Sequence, residues 1–440
     1  MILIIDFENA FNLVDRALLL ELVVALVPEA ASVFSWLYEK ETLLVTDRGD
    51  GVKCSRGVMQ GCSFSSIAFA LVVKWLVSQM CHPGIARKQF FMDDGLLYGT
   101  PEAIKWCVDL IGKLEPISGL KLKLVKMRVH APTADSAQLC RQLLPGIKVI
   151  DDEQMNLIYL KSPIGSNEFV EAYLEEKLAR LKEEINSLSE MTHLHECFTL
   201  LRSCASACKV THLMRTTPPE QLKKFIDGFD SLLRKVMERI LGHDLNDTQW
   251  LICQLPAKYG GFGLRSGKIT VGAQYVMSLK KCANNMSAHT EGWDLIESAK
   301  IAAEDWLKDC LGTSFVLDDY LASSDQASTG NKDCGTGYYS MSLAQQCEYA
   351  CYQKLLKSLS ENDRLRLISN SGPTQNWVTA LPLSWKNWNL TSRERLIAAR
   401  RRLGLDVRTK RSRCSNCRFH QIGLKGDHAL RCSGRLCVKM

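Results

Sequence analysis

The chain of 440 residues lacks any apolar run long enough to span a bilayer. Its longest candidates, such as Leu18–Val27, are broken by Glu21 and stopped by Pro28, well short of the ~20 residues a membrane helix needs. A secretory leader is not expected: the apolar start Met1–Ile5 has no basic residues before it and is followed at once by Asp6 and Glu8. These absences predict a soluble, intracellular chain with no membrane partner. No internal repeats occur, which excludes a solenoid or propeller. The eighteen cysteines are scattered through apolar helical stretches, which suits a reduced compartment better than a disulfide scaffold. Cys197, Cys204 and Cys208 share a helical face with Leu194 and Leu201 and are expected in a core.

Charge is modest but unevenly placed. Of the net +7, the segment Arg393–Arg418 carries +8, with ten Lys/Arg against Glu394 and Asp406, so the rest of the chain sums to −1. A polyanion partner is expected for that segment.

Short strands and helices alternate irregularly over the first third. The apolar run Ile2–Phe7 reads as a buried strand ending in a carboxylate, Arg16–Leu26 as a helix, and Leu43–Ser55 as a hairpin around Asp47–Asp50. A long helix over Ser65–Met80 precedes a second hairpin, with Asp93-Asp94 at its turn between Gln89–Met92 and Gly95–Tyr98. A helix over Glu102–Glu115 then leads to an expected edge strand at Gly119–Leu122. The absence of regular βαβ alternation predicts an α+β fold. From Glu168 onward, Phe169, Tyr173, Leu178, Leu181, Ile185 and Leu188, then Leu222, Phe225, Phe229, Leu232, Val236 and Ile240, recur at helical spacing. The Ser/Gly/Thr-rich stretch 322–340 reads as a linker, and Thr391 with Glu394 as a capping box opening a basic helix. Gly260-Gly261-Phe262-Gly263 has no following lysine and hydroxyl, so it reads as a glycine turn rather than a phosphate loop.

Adjacent aspartates at a hairpin tip, with a third at the end of a buried strand, repel one another, and divalent cations relieve that cost. Mg²⁺ takes hard oxygen ligands, and two ions ~3.5–4 Å apart suit nucleotidyl transfer. Asp93-Asp94 alone is no more than a polar turn. Four segments in fixed order change its weight: Asp6-Phe7-Glu8-Asn9-Ala10-Phe11-Asn12, Gly57-Val58-Met59-Gln60-Gly61, Phe91-Met92-Asp93-Asp94, and Gly119-Leu120-Lys121-Leu122 running on to Lys126. Together they resemble the palm motifs of the reverse transcriptases of non-LTR retrotransposons.

The resemblance implies an RNA-directed DNA polymerase working on an RNA template, a DNA primer or target and deoxynucleoside triphosphates. By it, Asp6, Asp93 and Asp94 are catalytic and hold two Mg²⁺ ions, and Lys126 protonates departing pyrophosphate. Phe11 excludes a 2′-hydroxyl, and Gln60 and Gly61 line the nucleotide pocket. It implies a partial right-hand fold: a palm over 1–165, a helical thumb and connection over 166–321, the linker 322–340, and a basic C-terminal region over 341–440. Ser162–Ser166 is similar to the strand-turn after the palm, and Pro256–Leu264 to a segment common in these elements. Two positions depart from the family pattern, Ser63 where a proline is usual and Lys123 where an asparagine is expected. The fingers strands that precede the first motif, and the endonuclease that often follows, are not represented. A second expectation therefore stands beside the first: an inactive polymerase remnant that only binds nucleic acid.

Near the C-terminus, Cys414-x2-Cys417 is followed by His428 and Cys432, a spacing suited to tetrahedral Zn²⁺, with Cys437 as a possible substitute and Gly423, Gly426 and Asp427 allowing the reversal. The segment is similar to a zinc-knuckle-like sequence of retrotransposon proteins, where the zinc is structural. Arg400, Arg401, Arg402, Lys410, Arg411 and Arg413 beside it are expected to face nucleic-acid phosphates.

Overall fold

A computed structural model describes residues 1–45, 47, 49–286, 297–312, 315–322, 342–372, 377–382, 390–415, 417–418, 420–425, 428 and 432. The expected linker 322–340 lies outside these apart from Ala322, as do Gly426, Asp427 and Cys437. The chain divides into two compact units, Met1–Phe169 and Val170–Met440. Among the described residues no helix is long and apolar enough to cross a membrane.

The first unit is α+β. Its elements are β1 (Ile2–Ile5), α1 (Ala10–Leu13), α2 (Arg16–Leu26), α3 (Ala31–Tyr38), β2 (Thr42–Val45), β3 (Gly51–Cys54) and α4 (Ser63–Gln79). They continue as β4 (Ile85–Phe91), β5 (Asp94–Gly99), α5 (Pro101–Ser118), β6 (Arg128–Ala131), α6 (Ala134–Leu143), β7 (Lys148–Asp151), β8 (Leu157–Tyr159) and β9 (Ser162–Ile164). A five-stranded sheet runs in the order β4-β5-β1-β6-β7, antiparallel except for the parallel pair β6–β7. The apolar β1 takes its central place because strands flank it on both sides and Leu3 and Ile5 are removed from water. Phe69, Val72 and Leu76 of α4, Leu19 and Val23 of α2, and Ile104 and Ile111 of α5 join the same core. Burying each such side chain contributes about 1.5–3 kcal/mol.

Helix starts follow their capping chemistry. Asp15 accepts from Ala17 and Leu18 backbone N–H groups at α2, and Thr100 caps α5 with Pro101 in its first turn. Gly119, at φ 74°, ends α5 so close to Leu13 that a Cβ would lie 1.8 Å from that carbonyl oxygen. The edge strand expected at Gly119–Leu122 does not form. The segment makes a single bridge, Phe7 to Leu122, because its backbone bonds the loop after β1, with Glu8 N–H donating to Lys121 O at 2.8 Å and Lys123 N–H to Asp6 O at 2.9 Å.

The second unit is built of helices α7 (Asn167–Leu188), α8 (Leu194–Cys204), α9 (Thr211–Thr216), α10 (Pro219–Leu241), α11 (Asp247–Gln254) and α12 (Gly267–Met286). Helices Glu297–Leu311, Leu317–Ala322, Leu343–Ser358, Glu361–Ser369 and Ser392–Arg402 follow. All six apolar positions read for α10 are buried. On α7 only Leu181 and Ile185 of the expected set are, with Val170 and Leu174 supplying the rest of the buried face. Cys197 is in the core, but Cys204 and Cys208 are exposed, because α8 ends at Cys204 and the helical phase is lost. Buried Asp230 of α10 holds the start of α12, accepting from Ser266 Oγ at 2.6 Å and Gly267 N–H at 3.1 Å. The glycine turn Gly260–Gly263 is tight: a Cβ on Gly261 would sit 1.9 Å from Leu255 O.

Candidate functional site

Two groups of side chains carry chemistry. The first lies at one end of the central sheet. Ile5 of β1 pairs with Gly95 of β5, so Asp6, the next residue after β1, emerges beside Asp94. Phe91 pairs with Asp94, leaving Met92 and Asp93 as the two-residue turn. Met92 takes φ 55°, a conformation that costs a non-glycine residue energy, and Asp94 begins β5 instead of sharing the turn. Burial, then the charges of Asp93 and Asp6, push the Asp94 carboxyl above its ordinary range, while Lys161 pulls it down. Asp94 therefore lies within electrostatic reach of both other carboxylates. Among the described residues the three are not a set with oxygens all within 4.8 Å of one another.

One further segment reaches this end of the sheet, and a loop packs on α1, the helix that follows Asp6 in the chain. Lys126, in the short turn Leu124–Lys126, places Nζ 3.9 Å from Asp6 Oδ1, an exposed pair worth little in stability. Lys121 meets Glu8 at 2.9 Å and holds that carboxyl below its usual range. Phe11 on α1 stacks on Phe69 of α4 with centroids 4.3 Å apart. The loop bearing Gln60 and Gly61 is stitched to α1: Gly57 N–H donates to Val14 O and Val58 N–H to Phe11 O, both at 2.8 Å. Gln60 Nε2 reaches Asn12 Oδ1 at 3.5 Å, and Gly61 takes φ 87° with open space where a Cβ would be.

Sequence reasoning missed two contributors. Arg16 is buried and clamps this loop, donating from Nε to Gly57 O at 2.8 Å and from Nη1 to Cys54 O at 3.0 Å, beneath the Tyr38 ring. A helix N-terminus marked by Asp15 offered no sign that the next residue points inward. Lys161 and Tyr159, on the hairpin β8–β9, are the other, both within electrostatic reach of Asp94. Its tip residues Leu160 (φ 48°) and Lys161 (φ 63°) make a left-handed turn without the glycine or asparagine that would announce it.

The second group is Cys414, Cys417, His428 and Cys432, whose ligand atoms all lie within 4.8 Å of one another. The short strands Ser412–Arg413 and Gln421–Ile422 pair to carry Cys414 and Cys417. Cys414 Sγ stands 3.8 Å from Cys432 Sγ, and Cys417 Sγ 3.2 Å from His428 Nε2. Two thiolates bound to one tetrahedral zinc at ~2.3 Å stand about 3.8 Å apart, so the donor set and its spacing fit that ion. The apolar core here consists of Cys414 and Ile422 with Cys417 and Cys432 packed against them, too little to hold a segment by burial alone. His420 stacks on His428 with centroids 4.9 Å apart.

The six basic residues expected to face phosphates separate into two sets. Lys410, Arg411 and Arg413 are exposed. Arg400 and Arg401 are half-buried and donate to backbone carbonyls, Arg400 Nε to Leu241 O at 2.9 Å and Arg401 Nη1 to Lys425 O at 2.9 Å. Arg402 is 3% exposed, with Nη2 donating to Gly261 O at 3.0 Å and Asn370 O at 3.1 Å beneath Phe262 and Trp377, so its guanidinium is not on the outer surface. Arg400 tethers the end of α10, and Arg402 ties the basic helix to the glycine turn. Replacing Arg402 by Ala is expected to destabilise the chain by about 3 kcal/mol, because charged hydrogen bonds and packing are lost together. Arg411→Ala should stay within about 0.5 kcal/mol. Chemical denaturation of both variants checks the contrast; equal midpoints would contradict it.

Compared with known proteins, the chain matches no family model and no curated protein.

Proposed function

We propose that the chain is an RNA-directed DNA polymerase of the non-LTR retrotransposon kind, the first unit acting as the palm and the helices after it as the thumb. The observation that carries the reading is the convergence of Asp6, Asp93 and Asp94 at one sheet end, with Lys126 3.9 Å from Asp6. Carboxylates are hard oxygen ligands of the kind Mg²⁺ takes, and ion binding would relieve the repulsion felt at Asp94. Asp6 and Asp93, with Asp94 beside them, would hold two Mg²⁺ ions, which would supply activation of a primer 3′-hydroxyl and charge stabilisation at the leaving pyrophosphate. Lys126 delivers a proton to pyrophosphate. Phe11, fixed by its stack on Phe69, blocks a 2′-hydroxyl, and Gln60 and Gly61 line the deoxynucleotide pocket. Cys414, Cys417, His428 and Cys432 hold a structural zinc, and Lys410, Arg411 and Arg413 meet template or target phosphates.

Primer extension on an RNA template with Mg²⁺ and deoxynucleotides tests this. Wild type should extend, and Asp93→Asn should not; equal extension by both refutes the site. Phe11→Ala is expected to lower discrimination against ribonucleotides at least tenfold, read from competing incorporation, and unchanged selectivity removes the gate.

The second reading, a remnant that only binds nucleic acid, rests on the exposed Lys410, Arg411 and Arg413 beside the Cys₃His group. It predicts steeply salt-dependent binding without extension.

A further inference from the structure

Within the second unit, a cavity of about 640 Å³ opens between helices Glu361–Ser369 and Ser392–Arg402. Its lining includes the cations Arg366, Arg401 and Lys425, the buried Arg402, and the apolar side chains of Trp377, Leu390, Ile397 and Leu405. Among the described lining residues the one carboxylate, Glu394, is turned to the helix cap, where it accepts from Thr391 N–H at 2.9 Å and Thr391 Oγ1 at 2.8 Å. A second cavity of about 240 Å³ shares Arg366, Arg402, Gly404 and Lys425 with the first and adds Asp363, which pairs with Arg366.

The placement of Arg366 depends on the backbone. Gly404 takes φ 71°, and a Cβ there would lie 2.2 Å from Arg366 Nη1, so the missing side chain is what admits the guanidinium. Against Trp377, two buried guanidinium groups donate to backbone carbonyls but meet no counter-ion among the described residues. Arg395 and Arg402 are 1% and 3% exposed, with no carboxylate within ion-pair distance among the described residues. Among the described residues, Nε of each and Nη1 of Arg402 have no hydrogen-bond partner. Buried positive charge without a counter-ion is costly and raises the potential of the space around it. Arg402's unpartnered N–H groups are sealed from the cavity, so it acts through its charge; contact falls to Arg366, Arg401 and Lys425.

We infer that this cavity binds a nucleotide: a phosphate on the Arg366–Arg401–Lys425 side and the base against Trp377 and the aliphatic wall. Its volume matches a small-ligand site, and its lining supplies both the cations that a phosphate needs and the aromatic and aliphatic side chains that a base needs. The inference does not rest on the polymerase reading, since none of its residues belongs to the carboxylate cluster. The phosphate chemistry is common to a free mononucleotide and to one nucleotide of a single strand.

Calorimetric titration of the full chain with UMP, uridine and inorganic phosphate tests it. UMP should bind once per chain at this site, uridine should bind at least tenfold more weakly, and inorganic phosphate should compete with UMP. Lys425→Glu, a change at an exposed position, and Arg366→Gln should each weaken UMP at least tenfold. The Asp93→Asn/Asp94→Asn background should leave that binding unchanged, which separates the site from the polymerase pocket. Equal affinity for UMP and uridine, or wild-type affinity in both Lys425→Glu and Arg366→Gln, overturns the inference. Displacement of UMP by pentauridylate assigns the site to a strand; UMP binding that pentauridylate leaves intact assigns it to the free nucleotide.

Discussion

Removing zinc from this chain is expected to unfold the segment around Cys414–Cys432 while the helices of the second unit persist. The structural reason is the imbalance between what must be ordered and what is buried. Two strands of two residues each and a core of Cys414 and Ile422 cannot offset the conformational entropy of fixing the segment, about 1–2 kcal/mol per residue. A structural zinc site supplies on the order of 10–16 kcal/mol in small metal-folded domains, which closes the gap. Elemental analysis should find one zinc per chain, lost in Cys414→Ser and Cys432→Ser. Amide exchange at Cys414 and Ile422 should rise to unfolded rates on chelation while α10 stays protected. A chain without zinc that keeps slow exchange at Ile422 would contradict the metal assignment.

Asp94→Asn is expected to move stability and activity in opposite directions. Burial and two neighbouring carboxylates raise the Asp94 pKa in the folded chain, so its ionised form is disfavoured there relative to the unfolded chain. The sign follows: this residue's contribution to stability is fully present below its unfolded pKa and is lost as pH rises through the raised folded value. At neutral pH and without divalent ions, asparagine removes that repulsion. Because the site is largely solvated, the gain should be on the order of 0.5 kcal/mol, read from denaturation midpoints at pH 7. The same change should vanish near pH 3, where the aspartate is protonated. Extension, by contrast, should fall about a thousandfold, since several kcal/mol of charge stabilisation by metals depends on the carboxylates. A variant less stable than wild type at pH 7 would mean that Asp94 is held by favourable contacts instead of opposed by its neighbours.

Much of the first unit was legible because its signals are local. The amphipathic run Arg16–Leu26 marks α2 with the bounds it takes, and apolar residues flanking a polar pair mark the β4–β5 hairpin. Where tertiary contacts decide, local patterns fell short. Gly119–Leu122 alternates like a strand, yet its hydrogen bonds go to the loop after β1. Arg402 has the composition of a solvated face but is drawn inward by the carbonyls of a glycine turn and the rings of Phe262 and Trp377. The grouping of Cys414, Cys417, His428 and Cys432 was readable from spacing alone, since four donors within nineteen residues have few ways to meet. Lys161 was not, because its proximity to Asp94 follows from where the β8–β9 hairpin packs.

The central claim is that the aspartates at the end of β1 and at the β4–β5 turn carry nucleotidyl transfer. The most direct test is primer extension on an RNA template with Mg²⁺ and deoxynucleotides, with wild type and the Asp93→Asn/Asp94→Asn double variant side by side and RNA binding measured for both across salt concentrations. The account predicts extension by wild type, none by the double variant, and the same salt-sensitive binding in both. Binding without extension in either chain would contradict it and leave a nucleic-acid-binding remnant.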